Sequence, residues 1–238
     1  IGPVKDRSNL EELVDEVGRT TQMDVRKYFF TKEDLPTAEA FREKLRDLEC
    51  GRDDVAWFHY SGHGGNFDGW PRFALQRSNQ TVPMTMVHEA MKRKGARLCL
   101  TTFDCCNTGG EIVRPRILTA RTGPAVATNY LRLFRQSSGD IKASSSEANQ
   151  LSWSSPEIGG FFSLAFIASL RSVAASGEPA TWEKVLEEAQ KLTTATARNN
   201  NREQMPQYLI NVNERQQVDI NNFPDEKMSN KVIEKLWD

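Results

Sequence analysis

Val55-Ala56-Trp57-Phe58-His59-Tyr60-Ser61-Gly62-His63-Gly64-Gly65 opens as an apolar run and closes on glycines that surround a histidine. A run apolar almost throughout, from Val55 to Tyr60, suits a strand covered on both faces, as in a parallel sheet. Ala96 to Phe103 has the same character and ends in Asp104-Cys105-Cys106-Asn107-Thr108-Gly109-Gly110. Between the two runs, Met84 to Lys94 has helical periodicity, with a cap near Thr85 and a stop at Gly95. Strand, helix, strand predicts a crossover unit and parallel pairing of the two runs. Ligands of such sheets bind beyond the carboxyl ends of the strands. Both glycine-bearing motifs begin there.

The pattern continues outward. Leu10, Leu13, Val14 and Val17 line one face of an upstream helix; Ser8 and Glu11 form a capping box at its start, and Gly18 is its stop. Val25 to Phe30 predicts a strand, and Phe41, Leu45 and Leu48 mark a helix capped by Thr37. Downstream, Arg114 to Gly139 loses periodicity and holds Arg114, Arg116, Arg121, Arg132 and Arg135, with a short helix over Tyr130 to Phe134. Asp140 to Ser146 predicts a strand, Phe161 to Leu170 a buried helix, Trp182 to Ala197 a helix capped by Thr181, and Tyr208 to Val212 a last strand. The polar tail ends in a short helical pattern, Val232 to Trp237. The expectation is an α/β chain with a mainly parallel central sheet flanked by helices on both faces.

A length of 238 residues suits one domain. Lys plus Arg numbers 31 and Asp plus Glu 32, a net charge of -1 that offers no electrostatic basis for nucleic acid or an anionic membrane as partner. No apolar run approaches the ~20 residues of a membrane span. Cys50, Cys99, Cys105 and Cys106 are too few for a disulfide scaffold, which favours free thiols and a cytoplasmic setting. No secretory signal is visible, and Ile1 is not an initiator Met.

A thiol attacks a carbonyl as thiolate or with a base beside it, and needs donors aimed at the oxygen that becomes negative. A Cys at a strand end before a glycine-rich turn offers its sulfur and its own N–H to one carbonyl. A His at the end of the neighbouring strand, ~5 Å away, is in reach. His63 and Cys106 meet that demand, with Gly64 N–H as a second donor.

Ser-Gly-His-Gly after one hydrophobic strand and Asp-x-Cys-x-Thr-Gly after the next resemble the caspase-type cysteine peptidases, and within them the metacaspase and bacterial caspase-like branch. The resemblance runs from Ile1-Gly2-Pro3-Val4-Lys5-Asp6 to Gln207-Tyr208-Leu209-Ile210. It implies a caspase-hemoglobinase fold over a single domain, 1–238, with a dyad-bearing part (1–113), an activation loop (114–139) and a part that completes the substrate pocket (140–238). It implies His63 and Cys106 as the dyad and the N–H groups of Gly64 and Cys106 as the oxyanion hole. The family pattern selects Cys106 over Cys105, and strand alternation puts Cys105 on the other face. The resemblance also places a further sheet strand ahead of Ile1. Asn107-Thr108 replaces the commoner His-Ser.

Specificity follows from charge. Where caspases that cut after Asp have a pocket Gln, this chain has Asp104, and their Ser-Trp-Arg becomes Ser152-Trp153-Ser154 without the arginine. Asp6 and Ser61 match pocket positions of the metacaspase branch. Two carboxylates without an arginine predict cleavage after Arg or Lys. The implied partner is a protein or peptide substrate, with a regulatory protein partner or self-cleavage in the arginine-rich loop as activators, and a monomeric chain. Ser78 and Val113 stand near the acidic calcium-site positions of some metacaspases, so no calcium dependence and no cofactor are expected.

Plainer readings stand beside these. His63 alone fits a structural turn, Asp104 a turn cap, Asp6 a helix-start acid, Trp153 the core. His59 is expected in the core and His88 on a solvated helix face; Cys50 and Cys99 are expected to be small buried hydrophobes. A zinc site from His59, His63, Cys105 and Cys106 lacks Cys-x-x-Cys spacing, and its adjacent cysteines lie on opposite strand faces. A catalytically silent caspase-like interaction module is the alternative function.

Overall fold

Residues 2–30, 37–67, 69–75, 80–106, 108–109, 123–155, 157–214 and 231–237 are described by a computed structural model of the chain. Helix α1 (Gly2–Thr21) leads into strand β1 (Asp24–Phe30), then α2 (Ala38–Arg46), β2 (Val55–Phe67), a hairpin of β3 (Trp70–Leu75) and β4 (Gln80–Pro83), α3 (Met84–Lys92) and β5 (Leu98–Cys106). After the two-residue β6 (Thr108–Gly109) come α4 (Pro124–Leu131), which runs into a π turn at Arg132–Gln136, and β7 (Ser137–Ser144). The short strands β8 (Trp153–Ser155) and β9 (Gly159–Gly160) precede α5 (Phe161–Ala175), α6 (Trp182–Asn199), β10 (Gln207–Glu214) and β11 (Lys231–Trp237).

The central sheet has the order β1-β11-β2-β5-β7-β10, parallel except for β10, which runs antiparallel to β7. This is the mainly parallel, helix-covered sheet that the motifs imply. Alternation along its strands sorts the core into two layers. Trp57, Leu100, Ile141 and Ala143 face α1, α4, α5 and α6 in one cluster. Ala56, Phe58, Tyr60, Phe103 and Cys105 face α2, α3 and the hairpin in the other. Burial on both faces explains the unbroken apolar runs of β2 and β5. Among the described residues no helix is long and apolar enough to cross a membrane.

Several local expectations are corrected. Helix α1 begins six residues before Ser8, so the Ser8–Glu11 pattern lies inside it. It also passes Gly18 and ends in a Schellman turn, with Gln22 at φ 57° and Met23 N–H bonded to Gly18 O at 3.0 Å. Helix α3 takes Pro83 as its N-cap, without a side-chain cap; Thr85 lies within the helix. Thr37 and Thr181 do cap, accepting from the N–H groups of Ala40 and Lys184. The hairpin β3–β4 was not foreseen. The tail pattern at Val232–Trp237 is a strand, not a helix: β11 pairs in parallel with β1 on one side and β2 on the other. Seven residues form a marginal helix alone, whereas β-branched Val232 and Ile233 suit a slot between two strands. That slot is interior to the sheet. His88 is buried rather than solvated, and Cys50 is only partly buried while Cys99 is buried. Arg114, Arg116 and Arg121 lie outside the described residues, as do Ser78, Asn107 and Val113.

Candidate active site

The parallel register of β2 and β5 aligns Ser61 with Asp104, Gly62 with Cys105 and His63 with Cys106. Both motifs therefore end at the same edge of the sheet, on neighbouring strands. The Cys106 thiol is outside the described atoms, but the backbone register stands. Cys105 is buried in the α2/α3 layer, beside Phe103 and Tyr60. Position 106 has the parity of Asp104, which faces α5.

His63 is exposed at the strand end. Its backbone is pinned: the Tyr60 hydroxyl donates to His63 O at 2.7 Å. Tyr60 is itself held by the hairpin, its ring stacked on Phe73 at 4.5 Å, and Phe73 meets Phe41 edge-on at 5.3 Å. The unforeseen hairpin thus props the turn that carries His63. Gly64, opposite Phe73 in the β2–β3 ladder, is pressed so closely against Cys105 and Arg72 O that an added Cβ would lie 2.8 and 2.6 Å away.

Beside these strand ends lie two carboxylates, Asp6 and Asp104, each 1% exposed. Asp6 comes from α1 and turns inward. It accepts from Ser61 Oγ at 2.5 Å and from Gly160 N–H at 2.7 Å. Asp104 accepts from Ser152 Oγ at 2.9 Å, from Ser163 N–H and Oγ at 2.8 Å each, and from the Ser145 hydroxyl. Burial, and then the charge of Asp104, push the Asp6 carboxyl well above its ordinary range. Burial also raises Asp104, against the pull of its four donors. Fewer donors reach Asp6 than Asp104, so less opposes the rise of its pKa. A cation brought beside them would favour the ionised form of both carboxylates.

Short strands close the site. β6, just past Cys106, pairs with β8 through Thr108↔Trp153, and β8 pairs with β9 through Ser154↔Gly160. The Gly159–Gly160 turn passes so near the carboxylates that a Cβ at Gly159 would stand 2.2 Å from Asp6 Oδ1, and one at Gly160 2.1 Å from Asp104 Oδ2. Only glycines allow that approach. Ser152 is fully buried on Asp104. Trp153 is half-buried, its ring under the Arg202 guanidinium at 4.1 Å and its Nε1 donating to Glu203 O at 3.2 Å. Asp6 with Ser61 and Asp104 with Ser152 thus form two hydrogen-bonded pairs, coupled to each other by charge, next to His63 and Cys106, with Trp153 at their rim.

The sequence missed three contributors. Ser145 and Ser163 supply donors to Asp104, and buried Gln204 bridges Ser145 O, Ser152 Oγ and Trp153 N–H. None sits in a motif. The zinc alternative fails on geometry: His59 and Cys105 occupy opposite faces of the sheet. His59 is buried behind the cluster, its Nδ1 on Thr102 Oγ1 at 2.8 Å. Burial alone depresses its pKa to about 3.

A family model for the caspase domain matches residues 1–216. Comparison with curated proteins yields no match. The family match spans both motifs, both carboxylates and the β8–β9 turn, and agrees with the sheet order and the helix layers. The chain belongs to the caspase-domain family of cysteine peptidases.

Proposed function

We propose that this chain is an endopeptidase of the metacaspase-like branch that cleaves after Arg or Lys through Cys106 and His63. The observation that carries the reading is the register of His63 with Cys106 at the strand ends, beside two buried carboxylates and no arginine among the described residues of their cluster. In the proposed reaction the Cys106 thiolate attacks the carbonyl carbon after the basic residue. The oxyanion settles on the N–H groups of Gly64 and Cys106, and the His63 imidazolium gives its proton to the leaving amine. Water, deprotonated by His63, then cleaves the thioacyl-enzyme and the thiol returns. Asp6, held by Ser61, and Asp104, held by Ser152, receive the cationic side chain, and Trp153 flanks the substrate backbone. An enzyme with this preference is suited to cut itself at Arg114, Arg116 or Arg121; Arg132 and Arg135, read with them as one loop, lie instead in the π turn that continues α4.

The test is hydrolysis of fluorogenic peptides ending in Arg, Lys or Asp. Wild type is expected to turn over Arg and Lys peptides. Cys106→Ala is expected to lose about 10³-fold or more, as removal of a covalent nucleophile does, while Cys105→Ala keeps the activity. Two fragments on a denaturing gel from wild type, absent in Cys106→Ala, would mark self-cleavage. Preference for Asp, or activity that survives Cys106→Ala and falls with Cys105→Ala, would overturn the reading. Silence of both proteins toward every peptide would favour the interaction module.

The pH dependence has a defined sign. The folded pKa of Asp6 is raised, so the free pair carries a proton at pH values where an ordinary carboxylate has lost it. Binding a guanidinium must expel that proton, at about 1.4 kcal/mol per pH unit below the raised pKa. KM for an Arg peptide should therefore fall as pH rises through that window, and KM for a neutral residue at the same position should not. Parallel profiles for the two peptides would separate the carboxylates from recognition.

A further inference from the structure

Gln204 lies in the short connection between α6 and β10, away from both motifs, yet it is 2% exposed. Its carboxamide is fully used. Oε1 accepts from Trp153 N–H at 2.9 Å; Nε2 donates to Ser145 O at 2.9 Å and to Ser152 Oγ at 3.2 Å. The backbone N–H of Trp153 and the carbonyl of Ser145 have fixed polarity, so they fix the orientation of the amide. The amide in turn fixes the Ser152 hydroxyl. Since Ser152 Oγ accepts from Gln204, its own proton is free to point at Asp104 Oδ1, 2.9 Å away.

We propose that Gln204 is a specificity-positioning residue: it directs the Ser152 hydroxyl onto Asp104, one of the two carboxylates that receive a basic side chain, and it ties the pocket to the backbone of Trp153. The proposal rests on the reading of Asp6 and Asp104 as the socket for Arg or Lys. Hydrogen bonds donated to an ionised carboxylate lower its pKa and are stronger than neutral ones. Without Gln204 the Ser152 hydroxyl has a second acceptor direction, toward the vacated site, and donates to Asp104 only part of the time. Trp153 N–H and Ser145 O lose their partner as well, so the edge on which substrate backbone would lie loosens together with the charge beneath it.

The experiment combines a carboxyl titration, which needs no activity, with kinetics. The Asp104 side-chain carboxyl is followed by carbon NMR across pH in wild type, Gln204→Met, Ser152→Ala and the double variant. Gln204→Met is expected to raise the Asp104 midpoint by about half a pH unit or more, and Ser152→Ala by at least as much. The double variant is expected to go no further than Ser152→Ala, because the two residues act in series. With an Arg peptide, Gln204→Met should raise KM roughly tenfold, the size of one lost charge-assisted hydrogen bond, with the loss on KM and not on kcat. Gln204→Glu keeps the shape and the acceptor for Trp153 N–H and loses the donors; it should show the same KM effect where Gln204→Met folds poorly. An unmoved Asp104 midpoint in a folded Gln204 variant, or fully additive shifts in the double variant, would overturn the proposal. If the midpoints move as stated but wild type cleaves no Arg or Lys peptide, the positioning relay stands and the assigned specificity falls.

Discussion

Asp6→Asn is expected to make the protein more stable and nearly inactive toward Arg peptides. The two effects have one cause. Asp6 is buried against the charge of Asp104, and its carboxyl is held well above the ordinary range by burial first and that charge second. Its two donors constrain an amide: the carbonyl oxygen can accept from Gly160 N–H, and the amino group can face Ser61 Oγ, whose hydroxyl must rotate to accept. The variant turns one hydroxyl proton away and, against that cost, loses both the desolvation and the repulsion that raise the Asp6 carboxyl furthest. A gain of ~1 kcal/mol would appear as a rise in Tm of about 2–4 °C for a chain of this size. The proposed pocket also loses half its negative charge. Removing one partner of a desolvated charge pair costs ~2–5 kcal/mol, so kcat/KM for Arg peptides should fall about 10²–10³-fold, while the slow cleavage of a neutral analogue is unchanged. An unaltered Arg preference would reduce Asp6 to a structural acid.

Asp104 does not behave the same way under the same substitution. Every group that reaches it is a donor, and one of them, Ser163 N–H, cannot turn round. An amide there faces Ser152 or Ser145 with an N–H and strands a hydroxyl proton in a dry site, at about 1–3 kcal/mol. Asp104→Asn should lose stability as well as cleavage. The two carboxylates share a proposed role but have different surroundings, and the pair of variants separates charge from hydrogen-bond polarity.

The legible parts of this protein were those where local pattern and tertiary environment agree. β2 and β5 are buried on both faces and so carry near-unbroken apolar runs; the parallel pairing ends at His63 and Cys106, while β2 continues through its glycine motif to Phe67 to pair with β3. Thr37 and Thr181 cap because each stands before an amphipathic run with no competitor. The start of α1 was hidden by a competing signal, Ser8 and Glu11, although the helix already runs through Gly2-Pro3. His88 was misread because periodicity describes only one face of α3: Thr101 Oγ1 at 3.0 Å and Asp140 at 2.9 Å supply the partners that let a histidine be buried. The hairpin β3–β4 was obscured by Pro71 in a short alternating run, and its role became clear only through Tyr60 and His63. In the candidate site, His63 and Cys106 were readable from the strand ends themselves. Asp6, Ser61, Asp104, Ser152 and Trp153 needed the family resemblance, because nothing local says that these residues share a pocket. Gln204 had no signal: its meaning lies wholly in the three groups that converge on it.

The second large effect concerns acid. His59 is expected to make the fold lose stability as pH falls, and the carboxylate pair to hide that loss. The imidazole is buried, its pKa depressed to about 3 by desolvation, against 6.5 for the free side chain. Between those values the unfolded chain binds a proton that the folded chain refuses, so stability drops by ~1.4 kcal/mol for each pH unit lost. Asp6 and Asp104 act oppositely. Their folded pKa values lie above 3.8, so the folded chain binds protons that the unfolded chain does not, and stability rises as pH falls through their window. His88, lowered by burial against the pull of Asp140, adds to the His59 side. His59→Asn keeps a polar atom near Thr102 Oγ1 and removes the titration. Denaturant unfolding between about pH 4 and 6.5 should then show stability rising toward acid in His59→Asn, falling steeply in Asp6→Asn, and changing least in the double variant. The constant packing cost of the shorter side chain shifts each curve without altering its slope, so the slopes carry the test. Identical slopes in wild type and His59→Asn would mean that His59 is already free to take up its proton in the folded chain, and that the layer behind Asp104 is open to water.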